Sequence, residues 1–488
     1  MPLLKYDHPQ SDAGLPSFVH PALADVLDEL EVAGDLWKRL KGAAEKYLPK
    51  ELKEPPKAYQ ARLQRSTFTS FFREGIVAFA GSLSRFECRD APKSFMDNLS
   101  NIDGSGTSLK AFMMIADAWV LRDAGCLLTV DMPKEAPKDR AEEVRMARRP
   151  HLAQVQRRHV LNWRTEEVGG VQVCVACTVM EWAQVEDGAY GIKYEPRYRE
   201  MVGGKWRLLK LEQQAEGAKT WRVEEVDKDT FTDFRGNELQ YPPVVWYGAT
   251  PDGFGMGELP MKSLGDLNLA HFREWSDKAE QLHRTVLITP WREGAAPRSP
   301  GMVLGPHGGI EVPSGGKVGL LEPSGSSQDY HQKQLEHIEN LIDRQTLAFL
   351  SGGSAQKTAT QSILESAQLQ ATLTTLSESK GSAMESIYRL WGQFTGETVV
   401  QGAGIDMAPG IADAMVTPET LTLADKLYNS GLISRETVVS LQHRAGLLGP
   451  GRTVEKELEV IKKEEPVPAN VPGVGDPETV DFMPQGAN

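Results

Sequence analysis

The stretch Leu259-Pro-Met-Lys-Ser-Leu-Gly-Asp-Leu-Asn-Leu-Ala-His-Phe-Arg-Glu-Trp-Ser-Asp277 decides how the rest of the chain is read. Its apolar members Met261, Leu264, Leu267, Leu269, Phe272 and Trp275 recur at helical spacing, which predicts a helix over Pro260–His283. Downstream, Val286–Thr289, Met302–Leu304, Gly309–Val312 and Val318–Leu321 are strand-like runs separated by Pro and Gly, which predicts a small β unit over Arg284–Ser327. Helical spacing returns over Gln328–Leu350 and is interrupted by Ser351-Gly-Gly-Ser-Ala. It resumes over Lys357–Phe394, a stretch of about 57 Å if it forms one helix at 1.5 Å per residue.

Upstream, short β-branched and aromatic runs lie between Val155 and Trp246: Gly170–Met180, Lys205–Gln213, Thr220–Val226 and Val244–Tyr247. Gly, Asp and Asn separate them, and they predict an antiparallel sheet. Before them, helices are expected from Leu23 to a stop at Pro49, from Tyr59 to about Leu83, and from Ser108 to Asp123. A strand follows at Cys126–Val130, and Pro133–Arg149 reads as a charged surface loop. After the long helix, helices are expected from Pro418 to Asn429 and from Ser434 to Arg444. Beyond Leu458, Lys, Glu, Pro and Gly predict a disordered tail. The fold class is α+β, and no repeat of fixed period is visible.

With 488 residues the chain exceeds a single compact core, and 40% hydrophobic with 25% charged residues is ordinary globular composition. A net charge of −13 repels a phosphate backbone on average, so contact with nucleic acid must be local or loose. The opening MPLLKYDHPQ lacks a signal-peptide pattern, no apolar run is long enough to span a bilayer, and four cysteines are too few for a disulfide scaffold. A reducing cytoplasm is therefore expected.

Motifs for bound groups fail on detail. Ser351-Gly-Gly-Ser-Ala-Gln-Lys-Thr358 has Gln356 and Ser351 where a phosphate-binding loop needs glycines, and a helix leads into it; a nucleotide-binding enzyme using Gly352-Gly353 is the alternative reading. Gly253-Phe-Gly-Met-Gly257 has Glu258 at the third required glycine position of a dinucleotide turn. Asn101 and Asp103 suggest a calcium loop, but Leu99 and Lys110 occupy its first and twelfth places. Cys174 and Cys177 sit three apart, which in a regular strand points them to opposite faces. His331 and His337 are six apart on a helix, and no GxSxG elbow occurs. No catalytic residue, metal ligand or cofactor is expected.

The order helix, small β unit, helix, Gly-rich break, long helix resembles the portal proteins of tailed bacteriophages. Leu259–Asp277 is similar to the helix that begins their stem, and Lys357-Thr-Ala-Thr-Gln361 to the start of their long kinked helix. Leu161-Asn-Trp-Arg164, Asp103-Gly-Ser-Gly-Thr-Ser-Leu109 and Gly431-Leu-Ile-Ser-Arg-Glu-Thr437 extend the likeness over roughly residues 20–455. The nearest resemblance is to a portal family formerly described only as a domain of unknown function. It implies a portal fold with a wing over residues 1–259, stem helices over 260–283 and 328–350, and a clip over 284–327. A tunnel loop would follow over 351–356, a long kinked helix returning to the wing over 357–417, a helical crown over 418–458 and the tail over 459–488.

The resemblance further implies a twelve-subunit ring at one capsid vertex of the virion, assembled in the host cytoplasm. Double-stranded DNA would pass through it during packaging and ejection. Its partners would be terminase, the head-tail adaptor, and the major capsid and scaffolding proteins, with no membrane involved. Ser351, Gly352, Gly353, Ser354 and Lys357 are the expected tunnel-loop residues, and Lys262, Arg273, Lys333 and Arg344 the candidates for sparse cationic rings in the lumen. Trp291 and Arg292 are candidate clip contacts.

Overall fold

The computed structural model describes residues 8–133, 148–213, 220–286, 289–293, 315–321, 326–346, 359–407, 418–444, 447–448 and 454–463. The chain divides into two compact units, residues 1–411 and 412–488.

The first unit opens with short helices. The single helix expected before Pro49 is three pieces, α1 (Pro21–Ala24), α2 (Leu27–Trp37) and α3 (Ala44–Tyr47). Arg39 and Leu40 take positive φ of 59° and 54°, a conformation no right-handed helix accommodates, so the chain turns between α2 and α3. The helix expected from Tyr59 to Leu83 is likewise two, α4 (Pro56–Arg65) and α5 (Phe71–Leu83). Apolar spacing runs through Phe68 without a gap. The break at Ser66–Ser70 is held by another part of the chain: Asn268 accepts a hydrogen bond from the Phe72 amide at 2.9 Å and donates to Thr69 O at 2.8 Å. It serves as the missing cap of α5, whose own N-cap Ser70 makes no capping bond.

Strand β1 (Phe86–Arg89) and helix α6 (Lys93–Met96) follow, then α7 (Leu109–Asp123). Ser108 caps α7 through its hydroxyl (3.4 Å to the Ala111 amide) and Ala124 ends it in the left-handed conformation. Strand β2 (Gly125–Asp131) is the middle of a three-stranded antiparallel sheet between β3 (His151–Gln156) and β9 (Val244–Gly248). The single sheet expected over 155–246 is therefore two. A separate five-stranded meander is built from β4 (Val160–Val168), β5 (Val171–Asp187), β6 (Gly191–Val202), β7 (Lys205–Gln213) and β8 (Trp221–Thr230).

Helix α8 (Lys262–Val286) leads to strands β10 (Thr289–Glu293) and β11 (Lys317–Leu321), then to α9 (Ser326–Thr346) and the 37-residue α10 (Ala359–Thr395). The strand expected at Val286–Thr289 is corrected: the helix carries through Val286 and pairing starts at Thr289. The runs Met302–Leu304 and Gly309–Val312 lie outside the described residues. Strand β12 (Gly404–Met407) returns to pair with β1, with Phe86 opposite Met407 and Arg89 opposite Gly404.

The core of this unit gathers Phe72, Ile76 and Phe79 of α5, Phe112, Met113 and Val120 of α7, and Met384, Ile387, Tyr388 and Trp391 of α10. Trp391 packs edge-on to Phe95 at 5.0 Å and donates to Ser94 Oγ at 2.9 Å. Within the core lies a fully buried ion pair. Lys380 Nζ of α10 sits 2.7 Å from Asp117 Oδ2 of α7 and 2.7 Å from Leu83 O, over the Phe86 ring at 4.3 Å, while Tyr247 donates to Asp117 Oδ1 at 2.8 Å.

The second unit holds α11 (Pro418–Asn429), α12 (Arg435–Arg444) and α13 (Val454–Lys463), which pack in sequence order. Ser434 Oγ accepts from the Thr437 amide at 3.2 Å, capping α12. The disordered tail expected from 459 is corrected at its start, because α13 continues to Lys463. Val454, Leu458 and Ile461 recur at i, i+4 and i+7 and give that helix one apolar face. Residues 464–488 lie outside the described part.

Candidate functional site

Helices α8 and α9 stand side by side and antiparallel, with the β10–β11 hairpin joined to their far end. The direction follows from the cross-links. Gln345 donates to Ser263 Oγ at 2.9 Å, His271 Nε2 and Glu339 Oε1 are 3.1 Å apart, His331 Nδ1 and Glu274 Oε1 are 2.5 Å apart, and Lys278 bonds Gln332. Leu264, Leu269 and Phe272 of α8 are buried, as are Leu335, Ile338 and Ile342 of α9. Each such side chain contributes about 1.5–3 kcal/mol on leaving water. In the hairpin, Trp291 pairs opposite Gly319, and a Cβ on Gly319 would meet the indole nitrogen at 2.7 Å. The ring lies across the glycine and stays 43% exposed.

A second face of α8 is fastened to the N-terminal helices at five levels. Lys262 pairs with Glu29, Asn268 caps α5, Arg273 Nε donates to Tyr47 O at 3.2 Å, Ser276 and Ser66 share a 2.8 Å hydrogen bond, and Glu280 pairs with Arg65. Glycines permit the closeness. A Cβ at Gly265 would lie 3.0 Å from Leu36, and one at Gly75 would lie 2.9 Å from Thr346 and 3.0 Å from Leu264. Burial and the neighbouring Glu274 raise the Asp277 carboxyl above its usual value, against the opposing pull of Arg62 and His331.

The candidate lumen cations do not share one surface. Lys262 and Arg273 reach toward α2 and α3, and the Glu29 hydrogen bond raises the Lys262 ammonium. Lys333 and Arg344 lie instead on the exposed face of α9. Arg292 sits in β10 opposite Val318. Ser351, Gly352, Gly353, Ser354 and Lys357 lie outside the described residues.

The cysteine expectation is corrected. A register shift between Arg164 and Thr165 makes Cys174 the partner of Thr165 and Ala176 the partner of Arg164, so β5 carries an extra residue at Val175. That bulge resets the alternation and brings two buried thiols together. The Cys174 hydrogen bond, with burial, pushes the Cys177 thiol far up, which leaves it an unreactive core group. Among the described residues, no three His, Cys, Asp or Glu side chains gather as metal ligands.

Neither the Lys380–Asp117–Tyr247 network nor the Asn268 cap is among the features expected from the sequence. The signal for the first was present: Lys380 stands four residues after Leu376 and three before Ala383, inside the apolar stripe of α10, where a solvated lysine does not belong.

Residues 260–395 match the model of a family described as a domain of unknown function (DUF4055). No curated protein matches the chain. One solved structure, described as the neck of an empty GTA particle computed with C6 symmetry, is 15% identical, with 81% of this chain and 95% of that chain covered and a TM-score of 0.38. Another, the virion of a native gene transfer agent (GTA) particle, is 12% identical at the same coverages, with a TM-score of 0.37. No helix among the described residues is long and apolar enough to cross a membrane.

Proposed function

We propose that the chain is a non-catalytic portal subunit of a phage-like virion, copies of which form a ring through which double-stranded DNA enters and leaves the capsid. One observation carries the reading: α8 and α9 form a two-helix post, braced on one side by the N-terminal helices and joined at its far end to the β10–β11 hairpin. In a ring, such posts line a passage and the hairpins form its narrow mouth, a fitting dock for terminase and then for the head-tail adaptor. The capsid and scaffolding proteins would meet the wing.

The charge suits a conduit. Helix α9 carries Asp329, Glu336, Glu339 and Asp343 against Lys333 and Arg344, and the whole chain is at −13. A wall of that sign repels phosphates, so DNA slides without many contacts to break. Lys262 and Arg273 are both committed within the chain, to Glu29 and to Tyr47 O. Negative-stain microscopy of the purified full chain tests the reading. Rings with a central channel support it, and compact monomers at all concentrations overturn it.

A further inference from the structure

The face of α9 turned away from α8 is divided by charge. At about 100° per residue, the buried Leu335, Ile338, Ile342 and Thr346 mark the inward direction. Lys333, His337 and Arg344 then lie within about 40° of the outward direction on one side, and Asp329, Glu336 and Asp343 about 40–80° from it on the other. Tyr330, 67% exposed, borders the cationic flank. Lys333, His337, Arg344, Asp329 and Asp343 form no hydrogen bond or ion pair with any described residue, and Glu336 takes one bond from Gln332 at 2.7 Å. Among the described residues, α9 packs mainly against α8, with Thr346 reaching Gly75 of α5.

We propose that this face is a contact between copies of the chain, the Lys333–His337–Arg344 flank of one copy meeting the Asp329–Glu336–Asp343 flank of the next. The occupant follows from the charges. The two flanks of one helix complement each other, so a second copy supplies the opposite sign, provided the two α9 helices run parallel. Copies rotated about a single axis along the helices meet this condition, whereas in an antiparallel pairing each flank would face its like. The inference rests on the ring reading and names which surfaces set its register. Exposed pairs of this kind add modest affinity but strong orientation, and they weaken as salt shortens the screening length from about 10 Å at 0.1 M to about 3 Å at 1 M.

The test uses three full-length variants, each checked for native helix content by circular dichroism: Lys333→Glu with Arg344→Glu, Glu336→Lys with Asp343→Lys, and all four together. Light scattering and negative stain then follow assembly against concentration and salt. Each half-reversed protein is expected to need about ten-fold more protein to assemble, from the loss and inversion of two pairs per contact. The four-fold variant is expected to assemble as the wild type does, yet not to mix with it. Folded half-reversed proteins that assemble at the wild-type concentration overturn the contact while leaving the ring standing. A wild-type chain that never forms rings overturns both.

Discussion

Replacing Lys380 by Met leaves a carboxylate stranded in the core. In the native protein, Lys380 Nζ lies 2.7 Å from both Asp117 Oδ2 and Leu83 O, and neither charged side chain is exposed at all. Burial lowers the Lys380 ammonium and raises the Asp117 carboxyl, while their mutual attraction opposes both shifts. Methionine fills most of the lysine volume, so little cavity forms, but among the described residues Asp117 keeps only the Tyr247 hydroxyl at 2.8 Å. Breaking a buried pair by removing one partner costs about 3–5 kcal/mol. At about 2.1 cal/mol/K of unfolding entropy per residue, a unit of 411 residues melting as one would lose about 3–6 °C. Adding Asp117→Asn removes the stranded charge and keeps an acceptor for Tyr247, so the double variant should recover more than half of the loss. Calorimetry of wild type, both single variants and the double variant measures this coupling. A Lys380→Met loss below about 1 °C, or a double variant whose loss equals the sum of the singles, refutes the claim that the pair acts as one unit.

Two further perturbations probe other parts of the first unit. Burial, with Arg158 and Arg122 nearby, lowers His159 from 6.5 to about 4, so the folded protein refuses a proton that the unfolded chain accepts. That contribution is complete above pH 6.5 and is lost as pH falls toward about 4, so His159→Gln should flatten the decline of urea-unfolding midpoints across this window; an unchanged slope counts against it. Asn268→Ala removes the bonds to the Phe72 amide and to Thr69 O, at a cost of about 1–3 kcal/mol. Hydrogen exchange at Phe72 should speed up in that variant, and retained protection would show that α5 needs no partner cap.

Much of the helical plan was legible because α8, α9, α11 and α12 each keep apolar spacing over several turns between clear breaks. What escaped reading depends on distant chain. Nothing local ends the periodicity at Phe68; Asn268, two hundred residues on, makes the break tolerable by satisfying Phe72 and Thr69. Strand β6 carries Lys193, Glu195, Arg197 and Arg199, which look like loop composition until Glu181 is seen to bond Arg199 across the sheet. The β1–β12 pairing joins segments more than three hundred residues apart. For the candidate site, spacing shows that Lys262, Arg273, Lys333 and Arg344 lie on helices. Only the packing shows that Glu29 and Tyr47 O engage the first two, while among the described residues the last two stay exposed.

An electron cryo-microscopy reconstruction of the assembled chain would test most directly whether many copies set their α8–α9 posts around a common passage. The expected result is a closed ring in which both helices of every copy stand beside the central channel, α9 helices parallel and β10–β11 hairpins at one mouth. A ring with these helices on its outer rim, or a single-chain particle with no channel, would contradict it.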